Sequence, residues 1–233
     1  SREDEPLNPT AAGPMQSLEL LIHYEVFRHA LVTGLAVGSA CSLLSVIVVL
    51  KRMAFIGQGI SHAGFGAIGT ASLLGLAGLP ADLLLLAWCA VAALAIGWMT
   101  RGRRMEADSA IGILLVAAMA WGVLADDLAQ TLRQYAWYGR LVGPAVNRPG
   151  FEALLFGSLG ASTPAGAWSA VGLAAAVIVG GAAFWKEILF FTFDEPVSRV
   201  FGVPTRGIHD LLLLLLAATI VVSIQLAGVV LVT

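Results

Sequence analysis

The densest group of side chains able to do chemistry lies between Lys51 and Thr70. There Gln58, His62 and Gly66 recur every fourth residue, so a helix through the segment lines them along one face. Gly59, Ala63, Ala67 and Ala71 form a small-residue ridge beside them, against which another helix can approach closely, and the polar stripe is then expected to point into a bundle. An ionisable side chain in such surroundings is a functional-site candidate, and imidazole is a good ligand for transition metals. The other reading of the same spacing is a neutral His62 hydrogen-bonded across helices with Gln58 as its partner, and spacing alone leaves both open. Ser61 and His62 are adjacent, about 100° apart around a helix, so by themselves they make no nucleophile and base pair.

The second informative segment is Phe193-Asp-Glu-Pro-Val-Ser-Arg-Val-Phe-Gly-Val-Pro204. Asp194 can cap a helix, Pro196 suits its first turn, Gly202 can close its end and Pro204 prevents continuation. A two-turn helix is expected, with Val197, Val200 and Phe201 on one apolar face. That face either packs on its own bundle or is gripped by a partner. Elsewhere, Gln225 is an interhelical hydrogen-bonder or a cavity-lining residue. Asp126 and Asp127 form a solvated helix end or a docking or metal-entry site, and His23, His29 and His209 stand at segment ends, where interfacial placement is expected.

Several chemistries are excluded by inspection. The only lysines, Lys51 and Lys186, follow Leu50 and Trp185, so no Gly-Lys-Ser/Thr phosphate loop exists. No His-Glu-x-x-His zinc motif and no Gly-x-Ser-x-Gly nucleophile elbow occurs. Cys41 and Cys89 both fall in apolar runs, where they read as small buried hydrophobes. The net charge of −2 provides no basic field for nucleic acid.

The elements that must position these residues are membrane helices. Of 233 residues, 58% are hydrophobic and 12% charged, with a mean hydropathy of +0.87; soluble domains carry roughly 25% charged residues. Ala30–Leu50 and Leu211–Val232 contain no charge, and each is long enough to cross a hydrocarbon core of about 30 Å. Apolar runs between charged punctuation give six helical crossings: Ala30–Leu50, Ile60–Leu79, Leu83–Met99, Ala110–Ala125, Ala165–Trp185 and Leu211–Val232. The third and fourth are short and small-residue-rich, as expected of helices buried among others. If the crossings alternate, eight of the thirteen lysines and arginines fall on one side, which is then cytoplasmic. The long connection from Asp126 to Pro164 lies opposite. Its Tyr135, Trp137 and Tyr138 read as an interfacial aromatic cluster, and Phe151–Leu159 as a re-entrant or interfacial helix. Residues 1–17 read as a disordered polar leader, with Met15 as a candidate true start, and 18–233 as one transmembrane domain.

The two segments, in this order and spacing, resemble the permease subunit of the bacterial ABC importers for zinc, manganese and iron, the ABC-3 family. The likeness covers Leu31 to Val232. The family's basic pair and Gly-Asp-x-x-Ser-His-Ala pattern stand here as Lys51, Arg52 and Gly57-Gln58-Gly59-Ile60-Ser61-His62-Ala63. Its cytoplasmic Phe-Asp and Gly-x-Pro pattern stands as Phe193, Asp194, Gly202 and Pro204. Leu155-Phe156-Gly157 is similar to an outer signature of the family, and Gln225 with Gly228 to its next crossing.

The resemblance implies an all-α polytopic permease of the bacterial inner membrane, itself no enzyme and holding no permanent cofactor. It carries a divalent zinc, manganese or iron ion. The implied partners are a cytoplasmic ATPase, an extracytoplasmic metal-binding protein, a second permease copy and the surrounding lipid. Residue by residue, His62 becomes the metal-path ligand with Gln58 beside it, and Ser61 and Gln225 become path-lining candidates. Asp194, Glu195, Val197, Val200, Phe201 and Gly202 form the coupling helix to the ATPase. Three departures stand out. Gln58 replaces the family's aspartate, which removes a carboxylate; Ser158 follows Leu-Phe-Gly where aspartate is expected; and the sequence stops at Thr233, where the family continues with further crossings. Rival expectations are a permease for chelated metal of the siderophore or cobalamin type, an intramembrane hydrolase using Ser61, and a purely structural subunit.

Overall fold

A computed structural model describes residues 25–101, 105–135, 138 and 164–227, and all regular structure among them is helical. The chain builds α1 (Glu25–Leu50), α2 (Ala54–Leu74), α3 (Leu79–Thr100), α4 (Ala107–Leu132), α5 (Pro164–Ala183), α6 (Trp185–Phe193), α7 (Glu195–Val200) and α8 (Thr205–Ala227). Breaks between them follow local chemistry. Arg52 takes a left-handed φ of 54° in the tight turn from α1 to α2. Gly75, at φ 70°, closes α2 with Leu76 N donating to Ala71 O at 3.0 Å, the pairing of a Schellman end. Pro80 lies in the first turn of α3, where a missing N–H costs no helix bond.

The helices form two groups that share one wall. In the first, α2 packs against α3 and α4, with Ile60, Phe65, Cys89, Ile96 and Ile111 in its core. In the second, α1 packs against α5 and α6 around Leu44, Ile47, Val177, Ile188 and Phe191. Helix α8 completes both: Leu213, Ala217, Val221 and Ile224 face the first group, Ile208, Leu212 and Leu215 the second. The leucine run Leu211–Leu216 makes it apolar all round, as a helix surrounded by others should be.

The all-helical membrane architecture is as expected; the inventory of crossings is not. Among the described residues, four helices are long and apolar enough to span: α1, α3, α4 and α8. A fifth arises if α5 and α6, bent by 68° at Phe184, count as one. Helix α2 misses on composition because Gln58, Ser61, His62 and its glycines dilute its apolar residues. Helices α3 and α4, expected to be short and interior, run for 22 and 26 residues, because α3 begins at Leu79 and α4 continues through Asp126 and Asp127. Their apolar stretches are 28% and 22% buried against 61% for α8, with Val91, Trp98, Val116 and Val123 facing outward. Cys41, expected to be buried, is exposed, whereas Cys89 is enclosed and points its thiol at Ile60 O. The leader, Trp137, the Phe151–Leu159 segment and Leu155-Phe156-Gly157 lie outside the described residues.

Candidate metal path and coupling surface

The expected small-residue ridge is real. Gly59, Ala63, Ala67 and Ala71 are all buried, and α2 meets α4 at backbone contact. A β-carbon added at Gly69 would overlap the Gly122 carbonyl, and one at Gly122 would overlap the Phe65 carbonyl. Trp121 Nε1 donates to Thr70 Oγ1 at 3.0 Å, and Thr70 donates in turn to Gly66 O at 2.7 Å. At the far end of α2, Arg133 donates to Ser72 O at 3.1 Å and the Tyr138 hydroxyl donates to Leu73 O, so carbonyls that the helix itself leaves open are occupied. Tyr138 is thus buried against α2, while Tyr135 is exposed.

This packing fixes the rotation of α2 and hence the polar stripe. Contrary to expectation, the stripe does not point wholly into the bundle: Gln58 is exposed, His62 half-buried, and Gly66 is covered by Trp88, whose Nε1 would lie 2.7 Å from an added β-carbon. The ridge occupies the interior-facing side, which leaves the stripe at the margin. The His62 ring stacks on Phe65, with centroids 5.8 Å apart and planes inclined by 22°. Its Nδ1 is buried and has no hydrogen-bond partner among the described residues. Ser61 is fully buried and donates its hydroxyl to Gln58 O at 2.8 Å, within its own helix. Gln225 lies in the last turn of α8. No group of three or more His, Cys, Asp or Glu side chains suited to a metal occurs among the described residues. Asp126 accepts from Gln130 at 2.8 Å, on the same helix.

The second segment folds as its residues dictate. Asp194 accepts the Val197 N–H at 3.0 Å, capping α7, and Pro196 lies in the first turn. Gly202, at φ 82°, ends the helix with Gly202 N donating to Arg199 O at 3.2 Å and Val203 N to Ser198 O at 3.0 Å. Ser198 is the buried residue of α7. The apolar face is open: Val200 and Phe201 are 86% and 75% exposed, with Val197 and the preceding Phe193 also exposed.

One cluster escaped sequence reasoning. Lys51, at the end of α1, pairs with Glu195 of α7, and Arg101, at the end of α3, pairs with Asp210 of α8. Both pairs stand on the side rich in lysine and arginine. Their members are separated by more than a hundred residues, so no local pattern announces them.

Comparison with known proteins fits this geometry. A model of the ABC 3 transport family matches residues 23–233. A protein of Thermotoga maritima named as a probable metal transport system membrane protein is 35% identical over 213 residues, covering 91% of this chain and 68% of the relative. The manganese transport system membrane protein MntC of Halalkalibacterium halodurans is 29% identical over 212 residues, covering 91% of this chain; the chain spans 66% of that relative. In three dimensions the fold matches a chain of PsaBC from Streptococcus pneumoniae, solved in complex with Fab, at a TM-score of 0.72 and 23% identity, over 94% of this chain and 72% of the other.

Proposed function

The chain belongs to the ABC 3 transport family and is a multi-pass membrane protein, and from that premise we propose that it is the permease subunit of an ATP-driven importer of a divalent transition-metal ion, zinc, manganese or iron. The observation that carries this reading is His62 Nδ1, buried beside Phe65 with no hydrogen-bond partner among the described residues and with Gln58 one turn away. A neutral imidazole nitrogen without a partner in an apolar site is costly, and a passing cation satisfies its lone pair. Gln58 contributes a neutral carbonyl oxygen in place of a carboxylate, so the pair binds weakly enough to release its cargo. Gln225, in the last turn of α8, is assigned to the same path, whereas Ser61, fully buried with its hydroxyl donated to Gln58 O, is not. The exposed face of α7 takes the cytoplasmic ATPase, whose hydrolysis drives the cycle; a binding protein outside delivers the ion, and a second permease copy completes the path in the bacterial inner membrane.

The deciding experiment is uptake of a panel of divalent metals by cells expressing the complete transporter, comparing wild type with His62→Ala. Selective loss of one metal supports the reading and names the cargo. Equal uptake by both returns His62 to bundle packing. The neutral Gln58 favours one rival, a permease for chelated metal, and competition by free ion against chelate separates the two.

A further inference from the structure

Lys51 Nζ lies 3.6 Å from Glu195 Oε2 and 3.7 Å from the centre of the Phe191 ring, so one ammonium group touches α7 and α6 from the end of α1. Its side chain is 18% exposed, against 43% for Glu195. Phe191 is buried and meets the His209 ring edge-on, with centroids 6.2 Å apart, and the neighbouring Asp210 pairs with Arg101. The other carboxylate oxygen of Glu195 accepts from Arg199 at 3.2 Å, within α7. Beyond Lys51 the chain makes a two-residue turn, Met53 N bonds back to Val48 O at 2.8 Å, and α2 starts at Ala54. Gln58 follows little more than a turn later and His62 a turn after that.

We propose that Lys51 is a positioning residue that passes the displacement of α7 to the start of α2, and so to Gln58 and His62. The inference rests on the transport reading above. Three properties support it. The ammonium is mostly enclosed and lies against both the Glu195 carboxylate and the Phe191 ring. Its α7 partner, Glu195, lies in the first turn of the short helix, beside the cap at Asp194. Met53, two residues on, is buried in the core that also holds Ile56 and Ile60, so a pull on Lys51 is delivered to the packed root of α2. The Arg101–Asp210 pair joins α3 to α8 and does not touch α7, so it cannot serve this purpose.

The test uses the complete transporter, with its ATPase and binding protein, in proteoliposomes, and measures ATP hydrolysed per metal ion imported. Lys51→Met is expected to keep ATPase bound and hydrolysing while uptake falls, raising that ratio about tenfold. Lys51→Arg, whose guanidinium makes both contacts, is expected to restore it. A wild-type ratio in Lys51→Met overturns the proposal, as does parallel loss of hydrolysis and uptake with the ATPase still bound. Should Lys51→Met fail to accumulate, Lys51→Gln decides in its place, since it keeps a polar side chain and removes the charge. Wild-type complex that imports no metal overturns the transport reading instead.

Discussion

Gly69 and Gly122 meet with no side chain between them, so that the α2–α4 crossing is set by main-chain atoms. Alanine at either position has nowhere to go. Gly69→Ala or Gly122→Ala is expected to destabilise the protein by about 1–3 kcal/mol, read as a lower melting temperature in detergent. Gly112→Ala, on the same α4 but with open space around its β-carbon, is the control and should be neutral or slightly stabilising.

Gln58→Asp places a carboxylate one helical turn from His62. Metal affinity of the purified transporter should rise by about tenfold, since an anionic oxygen replaces a neutral one. Isothermal titration with manganese and zinc measures it, and the gain should vanish in the double variant with His62→Ala. A gain that persists without His62 would place the added charge outside the path.

The α7 cap is expected to matter locally. Asp194→Ala should cost the short helix about 1 kcal/mol, and Asp194→Asn much less, because both Asp and Asn accept the Val197 N–H. Hydrogen exchange confined to residues 195–203 reads the difference, with the transmembrane helices unchanged.

Val200→Glu and Phe201→Glu alter side chains that touch solvent and leave the two cores intact. Melting temperature should stay at the wild-type value while co-purification of the ATPase falls by an order of magnitude, as expected when an apolar anchor is lost from an interface. Wild-type co-purification would move the docking site off this face.

The parts legible from sequence were those written in local patterns. Asp194, Pro196 and Gly202 specify α7 within nine residues, and the small residues at 59, 63, 67 and 71 specify the buried ridge of α2. His62 stood out because an imidazole is rare among glycine and alanine in an apolar run. Charge as punctuation misled in α4, where a helix carries Asp126 and Asp127 without stopping. Helix α2, counted from sequence as the crossing Ile60–Leu79, falls short of a span on hydropathy, although three neighbouring helices pack against it. The outward turn of Gln58 and the pairing of Lys51 were illegible, since both depend on which helices meet, and Lys51 finds Glu195 only after α5, α6 and the bend at Phe184 are in place.

The shared wall formed by α8 also constrains the order in which this protein can be made. Helices leave the ribosome from the N-terminal end, and α8 is the last of the described helices to emerge. Until then the α2–α4 group lacks Leu213, Ala217 and Val221, and the α1–α5–α6 group lacks Leu212 and Leu215. Each half therefore waits in the bilayer with one side unsealed. The hexaleucine run inserts readily without any partner, which suits a segment that must arrive late and lock two waiting halves together in one event.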